Sequence, residues 1–311
     1  MSASARGVRT RVAGVRSANA PPGWLRGHPL NALFVLPFVV VYAALLVYPL
    51  VKGAVMSFYD YDLLSGDTAY VGAENFTGLF HDPIFLGTLR NTLEFVVIAT
   101  PVFLVLGLAL ALALNRRTRL TAVLRTVFFG SSVLSVTVVT LVWRLVLMPR
   151  NGLLTDLLAG VGRPAFPVLT DQTWALPAVA LVTVWWGIGL PMMLILSALQ
   201  QIPGDIYEAA ALDNAGWWRT LFRITLPSIR RTLILVAVIE IILQFQLFGQ
   251  ALLMTGGGPN NASRPIVQFI YESGFRDLRL GYAAAASQVL FFLMLCAAML
   301  QFWVGRRRED A

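Results

Sequence analysis

Six apolar segments, each long enough to cross a lipid bilayer, dominate this 311-residue sequence. They cover residues 30–51, 86–114, 124–148, 174–199, 229–254 and 282–304. At about 1.5 Å of rise per residue, a helix of about 20 residues spans a hydrocarbon core of roughly 30 Å. Because backbone N–H and C=O groups find no water inside a bilayer, each segment is predicted to be helical. The sequence therefore predicts an all-α polytopic membrane protein with six transmembrane helices in residues 30–304.

The amino-acid composition agrees with a protein whose solvent is lipid. Hydrophobic residues make up 57% of the chain and charged residues only 13%, whereas soluble domains carry about 25% charged residues. A net charge of +8 would suit nucleic-acid binding only on a soluble basic face, which this apolar pattern does not provide. Cys296 is the single cysteine, and His28 and His81 are isolated, so no metal site is expected.

The distribution of positive charge predicts how the spans are oriented. With the N-terminus in the cytoplasm, 16 of the 24 Lys and Arg residues lie on the cytoplasmic side, as the positive-inside rule requires. Residues 1–29 are predicted to be a flexible cytoplasmic tail, and residues 305–311 a cytoplasmic C-terminal tail. The first apolar segment is longer than the core of a signal peptide, which has about 7–15 residues, so no cleaved leader is expected.

A polar insert, residues 203–227, separates the fourth and fifth apolar segments. Pro203 suits the first turn of a short helix, and Glu208 places negative charge close to that turn. Asn214 and Gly216 both tolerate a positive φ, so the helix is predicted to break there. A second short, aromatic-rich helix is expected to follow the break.

Two interpretations of this insert remain open from its composition. A slim helix followed by a hinge and an aromatic helix could dock into another protein. Alternatively, the insert could form an elbow at the membrane surface, with Trp217 and Trp218 among the lipid headgroups and with Arg219 and Arg223 extending toward water.

The insert resembles the EAA loop of the integral membrane subunits of bacterial binding-protein-dependent ABC importers. The family pattern is E-A-A, then Gly six residues after the Glu, then I-x-L-P ten residues after that Gly. This chain has Glu208, Ala209 and Ala210, then Asn214 at the Gly position, and "ITLP" at residues 224–227. Asn is the residue that best replaces Gly in a left-handed turn, so the departure affects only local geometry.

Further blocks resemble the first permease subunit of the carbohydrate importers in this family. They are "YVGAENFTGLFHDPIFLGTLRNTLEF" (residues 70–95), "LQQIPGDIYEAA" (199–210), "LLMTGGGP" (252–259) and "LGYAAAASQVLF" (280–291). The resemblance runs from about residue 31 to residue 304. It implies the permease fold of ABC type I importers.

The resemblance also implies the partners of the chain. These are a second homologous permease chain, two copies of a cytoplasmic ATPase that binds ATP and Mg²⁺, and an extracytoplasmic substrate-binding protein, all at a bacterial inner membrane. The loop at residues 200–228 would dock on the ATPase. The contacts that the family implies are Glu208, Ala209, Ala210, Asp213, Asn214, Gly216 and Trp217.

The chain itself is not expected to be an enzyme or to hold a cofactor. A phosphate-binding loop of the Walker type needs G-x-x-x-x-G-K-[ST], and the only lysine, Lys52, does not stand in such a sequence. The glycine-rich "TGGGP" at residues 255–259 lacks a lysine and is interpreted as a turn. ATP hydrolysis is therefore assigned to the partner subunit.

A substrate path is predicted from polar residues at membrane depth. Glu240, Leu243, Gln244 and Leu247 fall at positions i, i+3, i+4 and i+7, which form one helical face. A carboxylate and an amide at this depth are costly unless they face a polar cavity or a partner.

In related sugar permeases this face and the Trp-x-Gly region of the preceding span together line the substrate site. That region corresponds here to Trp185, Trp186, Gly187 and Leu190. The alternative is a purely structural hydrogen bond from Glu240 and Gln244 to a neighbouring helix or to the partner permease.

The expected cargo is a neutral sugar or short oligosaccharide, with glycerol phosphate or another polyol as the alternative. A secondary transporter is disfavoured because no inverted repeat is visible. Glu94 and Arg144 are expected to reach toward the membrane surface or to pair with other charges.

Overall fold

The computed structural model describes residues 30–61, 68–150, 152–164 and 166–307. The predicted tail at residues 1–29 and the last four residues lie outside this part of the chain. The helices of the first half are α1 (Leu30–Tyr42), α2 (Tyr48–Met56), α3 (Glu74–His81), α4 (Pro83–Ala113), α5 (Arg119–Ser131), α6 (Val136–Leu147), α7 (Leu153–Gly160), α8 (Ala175–Gly187) and α9 (Gly189–Leu199). Those of the second half are α10 (Gly204–Leu212), α11 (Trp217–Thr220), α12 (Leu226–Ser228), α13 (Arg230–Phe245), α14 (Gly249–Met254), α15 (Ile266–Tyr271) and α16 (Leu280–Arg307).

Two short strands accompany the predicted helices. β1 (Tyr59–Tyr61) pairs antiparallel with β2 (Thr68–Tyr70), with Tyr59 opposite Tyr70. The Asn75 side chain donates hydrogen bonds of 3.0 Å to the carbonyls of Ser57 and Tyr59. Alternating Tyr residues suit a strand, but a pair of three-residue strands is too short to read from apolar periodicity.

The described part of the chain divides into two compact units, with the division between Lys52 and Gly53. The described part of the first unit is helical and contains α1, a π-helical turn (Ala43–Val47) and the start of α2. The π turn comes just before Pro49, which has no N–H to donate and clashes with a regular preceding turn. A wider turn of this kind accommodates the proline without ending the helix.

Three of the described helices are long and apolar enough to cross a membrane. They are Phe34–Met56, Pro83–Ala113 and Leu280–Gln301, and they correspond to the predicted first, second and sixth spans. Counting the bent pairs α5–α6 and α8–α9 as one span each raises the number to five. The last helix continues through Arg307, beyond the predicted end of the sixth span at residue 304; Arg is a good helix former.

The third and fourth predicted spans each contain a sharp bend. α5 and α6 meet at 96°, and α8 and α9 meet at 49°. The Trp186 carbonyl beside the second bend accepts hydrogen bonds of 3.1 Å from the hydroxyls of both Ser131 and Ser132 at the first bend. Serine hydroxyls thus donate hydrogen bonds to a backbone carbonyl beside a bend. Such side-chain hydrogen bonds allow broken helices to exist at membrane depth.

The fifth predicted span is also interrupted. α13 ends at Phe245, and the backbone leaves helical geometry at Phe248, with φ −147° and ψ −70°, before α14 begins. The break changes which residues share a face, because positions on opposite sides of it no longer follow the helical repeat.

The second unit is built around α4, which packs against α8, α9, α13 and α15. Phe95, Ala99 and Phe103 of α4 are almost fully buried and pack in one cluster with Val179 and Val182 of α8. α4 thus contacts three of the other long helices, α8, α9 and α13.

Gly189, the first residue of α9, is predicted to tolerate no larger side chain. A Cβ atom there would lie 2.5 Å from the Phe128 carbonyl oxygen and 2.7 Å from the Phe129 Cα of α5. Since these are backbone atoms, Gly189→Ala is expected to destabilise the chain by about 1–3 kcal/mol or more. Gly130→Ala in α5 is the matched control, because nothing lies within 4 Å of its added Cβ. Thermal unfolding of the purified chain in nanodiscs measures both; an unchanged midpoint for Gly189→Ala would contradict the close approach.

Candidate coupling segment and transport cavity

The coupling segment, residues 200–228, has the predicted arrangement of a short helix, a break and a second helical run. α10 follows Pro203, and Asn214 adopts φ +50° as predicted. The Ala215 N–H donates to the Ala210 carbonyl at 2.9 Å and closes the turn. Gly216 is extended, with φ −63° and ψ 162°, and directly precedes α11, so the helix breaks where the sequence predicted.

Most of the residues assigned to ATPase contact lie on the surface. The exposed ones are Glu208, Ala209, Asp213, Asn214, Gly216 and Trp217. Ala210 differs, because it is buried to 6% exposure on the opposite face of α10. It therefore packs against the protein itself, and its small size lets the helix lie close to its neighbours.

The inner face of the coupling segment packs at the end of α4. The Tyr207 hydroxyl lies 3.2 Å from the Thr225 hydroxyl and links the two helical parts of the segment. A cavity of about 370 Å³ lies between the segment and Leu112 and Leu199, which are at the ends of α4 and α9. The segment and the ends of these two longer helices thus line one cavity.

Replacing Asn214 tests the left-handed turn. Asn214→Val is expected to cost about 1–2 kcal/mol, because a β-branched residue tolerates positive φ poorly. The Ala215 amide should then exchange its hydrogen about 5- to 30-fold faster. Asn214→Gly is the control and should leave the exchange rate near that of the original chain, since Gly accepts this conformation freely. Equal exchange in the Val and Gly variants would show that the turn does not constrain the segment.

A second cavity, of about 250 Å³, lies among α4, the α8–α9 bend and α13. This transport cavity brings together six of the seven residues predicted for the substrate path: Trp186, Gly187, Leu190, Glu240, Leu243 and Gln244. The seventh, Leu247, is a correction. It follows the end of α13 and is buried in the apolar cluster around Phe95 and Phe103.

Glu240 and Gln244 form a hydrogen-bonded pair in the wall of this cavity. Their exposures are 2% and 4%, and the Gln244 amide donates to a Glu240 carboxylate oxygen at 2.9 Å. The bond joins two residues of one helix and does not tie α13 to a neighbour. A carboxylate that is held by one amide still has free lone pairs for further donors.

Trp186 forms a fixed aromatic wall beside this pair. Its indole Nε1 donates to the Leu134 carbonyl at 3.1 Å, in the bend between α5 and α6. Trp185 does not join it: that ring contacts Trp143 at 5.5 Å and lines a separate apolar cavity. Adjacent residues of a helix point about 100° apart, so only one of the two tryptophans reaches the polar pair.

Four further residues line the transport cavity and were missed by the sequence analysis: Phe103, Ser132, Thr183 and Gln250. Thr183 could have been found, because it lies at i with Trp186, Gly187 and Leu190 at i+3, i+4 and i+7. Phe103 and Ser132 come from other helices, and no periodicity on α8–α9 or α13 points to them.

The opposite end of α4 carries a third, polar cavity of about 550 Å³. Arg90 and Glu94 of α4 line it, and the Asn91 amide donates to the Asn261 and Arg264 carbonyls at 2.7 and 3.0 Å. The 255–259 stretch forms the predicted turn, with φ +63° at Gly256 and +82° at Gly257. Arg144 donates to the Leu253 carbonyl at 3.5 Å. Arg90 lines the polar cavity, and Leu112 lines the cavity beside the coupling segment. These two residues of α4 are 22 positions apart, so the two cavities are separated by roughly 33 Å along the helix.

Comparison with known proteins places this geometry in a family. Residues 103–310 match the family model described as binding-protein-dependent transport system inner membrane component. A probable ABC transporter permease protein of Bacillus subtilis strain 168, YurN, is 32% identical over 86% of this chain and 93% of its own length.

Two further relatives are permease proteins of named uptake systems. The sulfoquinovosyl glycerol transport system permease SmoG of Agrobacterium fabrum is 30% identical over 93% of this chain and 96% of its own length. The diacetylchitobiose uptake system permease NgcF of Streptomyces coelicolor is 35% identical over 79% of this chain and 74% of its own length.

A solved structure has the same fold. It is a bacterial alginate ABC transporter in complex with an alginate pentasaccharide-bound periplasmic protein, and one of its chains aligns with a TM-score of 0.80 at 23% identity. The alignment covers 89% of this chain and 94% of that chain. The chain therefore belongs to the binding-protein-dependent transport system inner membrane components, the family of ABC importer permeases.

Proposed function

We propose that the chain lines half of the path by which an ATP-driven importer moves a neutral sugar or short oligosaccharide. The observation that carries this proposal is the transport cavity, in which a carboxylate–amide pair stands beside a fixed indole ring. Carboxylates and amides bind sugar hydroxyls, and an aromatic ring stacks on the apolar face of a sugar. The names of the relatives support a carbohydrate cargo, since they include permeases for diacetylchitobiose and lactose.

The proposed assembly contains a second homologous permease, two copies of a cytoplasmic ATPase and an extracytoplasmic substrate-binding protein. The fold shared with the alginate transporter, which is in complex with a periplasmic protein, supports such partners. The ATPase supplies the hydrolytic chemistry and holds ATP and Mg²⁺. The chain lies in a bacterial inner membrane with both termini in the cytoplasm.

Contacts within the chain provide the route by which the ATPase acts on the cavity. Motion of α10 passes through the Tyr207–Thr225 contact to residues that line one cavity with the ends of α4 and α9. The same two helices reach the transport cavity at Phe103 and Leu190. Packed helices move as rigid bodies, so a tilt imposed on the coupling segment changes the cavity, and the ATPase biases the balance between its two states.

Glycerol phosphate is the alternative cargo. A relative from Yersinia enterocolitica that is 31% identical is named as an sn-glycerol-3-phosphate permease, which favours this alternative. The buried Glu240 carboxylate opposes it, because a phosphate anion beside a carboxylate is repelled in surroundings of low dielectric constant.

Uptake by the assembled complex in proteoliposomes tests the function. The complex, with the subunits that copurify with this chain, is supplied with ATP and with radiolabelled neutral di- and trisaccharides or glycerol 3-phosphate. ATP-dependent uptake of a neutral saccharide is expected. Uptake that persists without ATP would overturn the importer mechanism, whereas ATP-dependent uptake of glycerol 3-phosphate alone would overturn only the assignment of cargo.

A further inference from the structure

Two large aromatic side chains of the coupling segment are stacked on its surface. Trp218 and Phe222 are 66% and 60% exposed, and their rings lie 5.9 Å apart at an interplanar angle of 12°. Exposed apolar surface of this kind marks a contact with a membrane or a partner rather than with water.

The depth of these residues follows from what lies on the other side of the same helical run. Leu221 and Thr225 are buried to 8% and 4% exposure, and both line the cavity shared with Leu112 and Leu199. Leu112 is the penultimate residue of the apolar α4, and Leu199 is the last residue of α9. The aromatic pair therefore lies beside the ends of membrane helices, where hydrocarbon meets the headgroups and where Trp is enriched.

The charges of the coupling segment are divided between its two parts. Arg219 and Arg223 each follow one of the stacked aromatic residues, and both are exposed. The preceding helix and turn carry Asp205, Glu208 and Asp213 instead, all exposed. Guanidinium groups bind phosphate oxygens in a bidentate manner, so the aromatic part complements an anionic membrane surface.

We propose that Trp218, Arg219, Phe222 and Arg223, here called the interfacial patch, insert into the headgroup region and bind anionic phospholipids. The aromatic rings move from water into the boundary between the acyl chains and the headgroups. The two guanidinium groups contact lipid phosphates. Trp217 is also exposed, and its ring lies 4.4 Å from that of Trp218, but it lines the cavity beside α4, and the patch is therefore defined without it. The two interpretations of the insert thus apply to different halves of it: the acidic half is free to meet a protein, and the basic aromatic half is held by lipid.

Spin-label accessibility measures the depth of the patch directly. Cys296, the single cysteine, is replaced by Ser, and a nitroxide is attached at Phe222→Cys or, in a second variant, at Trp218→Cys. The matched control is Leu212→Cys on α10, where the side chain is 84% exposed. The full-length chain is placed in nanodiscs of phosphatidylcholine with or without phosphatidylglycerol. Collisions with O₂, which concentrates in lipid, and with a water-soluble nickel chelate are then recorded.

The label at position 222 or 218 is expected to show a ratio of O₂ to nickel collisions severalfold higher than the label at position 212. Phosphatidylglycerol should raise the ratio further, and Arg219→Gln with Arg223→Gln should remove that increase. A nickel accessibility equal to that at position 212, or one that falls only when the companion ATPase is bound, would overturn the proposal. No increase with phosphatidylglycerol would overturn the anionic-lipid contact. None of these readings depends on transport, so they stand apart from the test of the proposed function.

Discussion

Replacing Glu208 with Ala is expected to reduce ATP-driven uptake by at least about 30-fold while the chain still folds in the membrane. Glu208 is exposed on α10, and a change at such a site shifts stability by only about 0.5 kcal/mol. Docked on the proposed ATPase, the carboxylate would be a buried, hydrogen-bonded charge, whose truncation costs about 2–5 kcal/mol. The lower bound corresponds to about a 30-fold loss in affinity.

The measurements for Glu208→Ala are uptake in proteoliposomes and the amount of ATPase that copurifies with the chain. Glu74→Ala is the control, because it removes an exposed carboxylate from α3, outside the coupling segment. Glu208→Gln should retain part of the activity, since an amide can still accept one hydrogen bond. Full uptake by Glu208→Ala, with a normal yield of ATPase, would show that α10 is not the docking site.

Replacing Glu240 with Ala is expected to reduce uptake of the neutral saccharide by about 10-fold or more. A hydrogen bond to a charged group contributes about 1.5–3 kcal/mol, which corresponds to about 10- to 150-fold in binding. The basal ATPase activity of the complex should stay unchanged, because Glu240 lies in the transport cavity and not in the coupling segment.

A purely structural role for Glu240 predicts a different pattern. In that case Glu240→Ala would lower the unfolding temperature and reduce the uptake of every cargo equally. Gln246→Ala is the control: Gln246 is exposed next to the end of α13 and does not line the cavity. If Glu240→Ala bound the saccharide with unchanged affinity, the result would show that this carboxylate does not contact the substrate.

Sequence patterns predicted the features of this chain that depend on neighbouring residues. The apolar segments identified α4 and α16 because a long apolar run has no other stable form in a bilayer. Asn214 was found for a similar reason, since few residues accept a positive φ. Trp186, Gly187 and Leu190 were indicated by the resemblance to sugar permeases rather than by residue spacing.

The bends and the composition of the cavity could not be predicted in this way. The bend between α5 and α6 lies where the hydroxyls of Ser131 and Ser132 donate to the carbonyl of Trp186. Trp186 is more than 50 positions away in the sequence. Leu247 was assigned to the cavity on the assumption that α13 continued, but the helix ends two residues earlier. In both cases, hydrogen bonds or packing between distant segments determine where a helix stops.

Residue order alone thus established that this chain crosses a membrane, carries a hinged acidic segment and has a polar face in its fifth span. Lipid allows few backbone conformations and a left-handed turn allows few residues, so these features need no distant contact. The folded arrangement settled which polar groups meet: it placed Ser132 and Phe103 beside Glu240, moved Leu247 into the core and directed Trp185 away. Those outcomes depend on packing between helices that are far apart in the chain, and side-chain spacing within one helix carries no information about them.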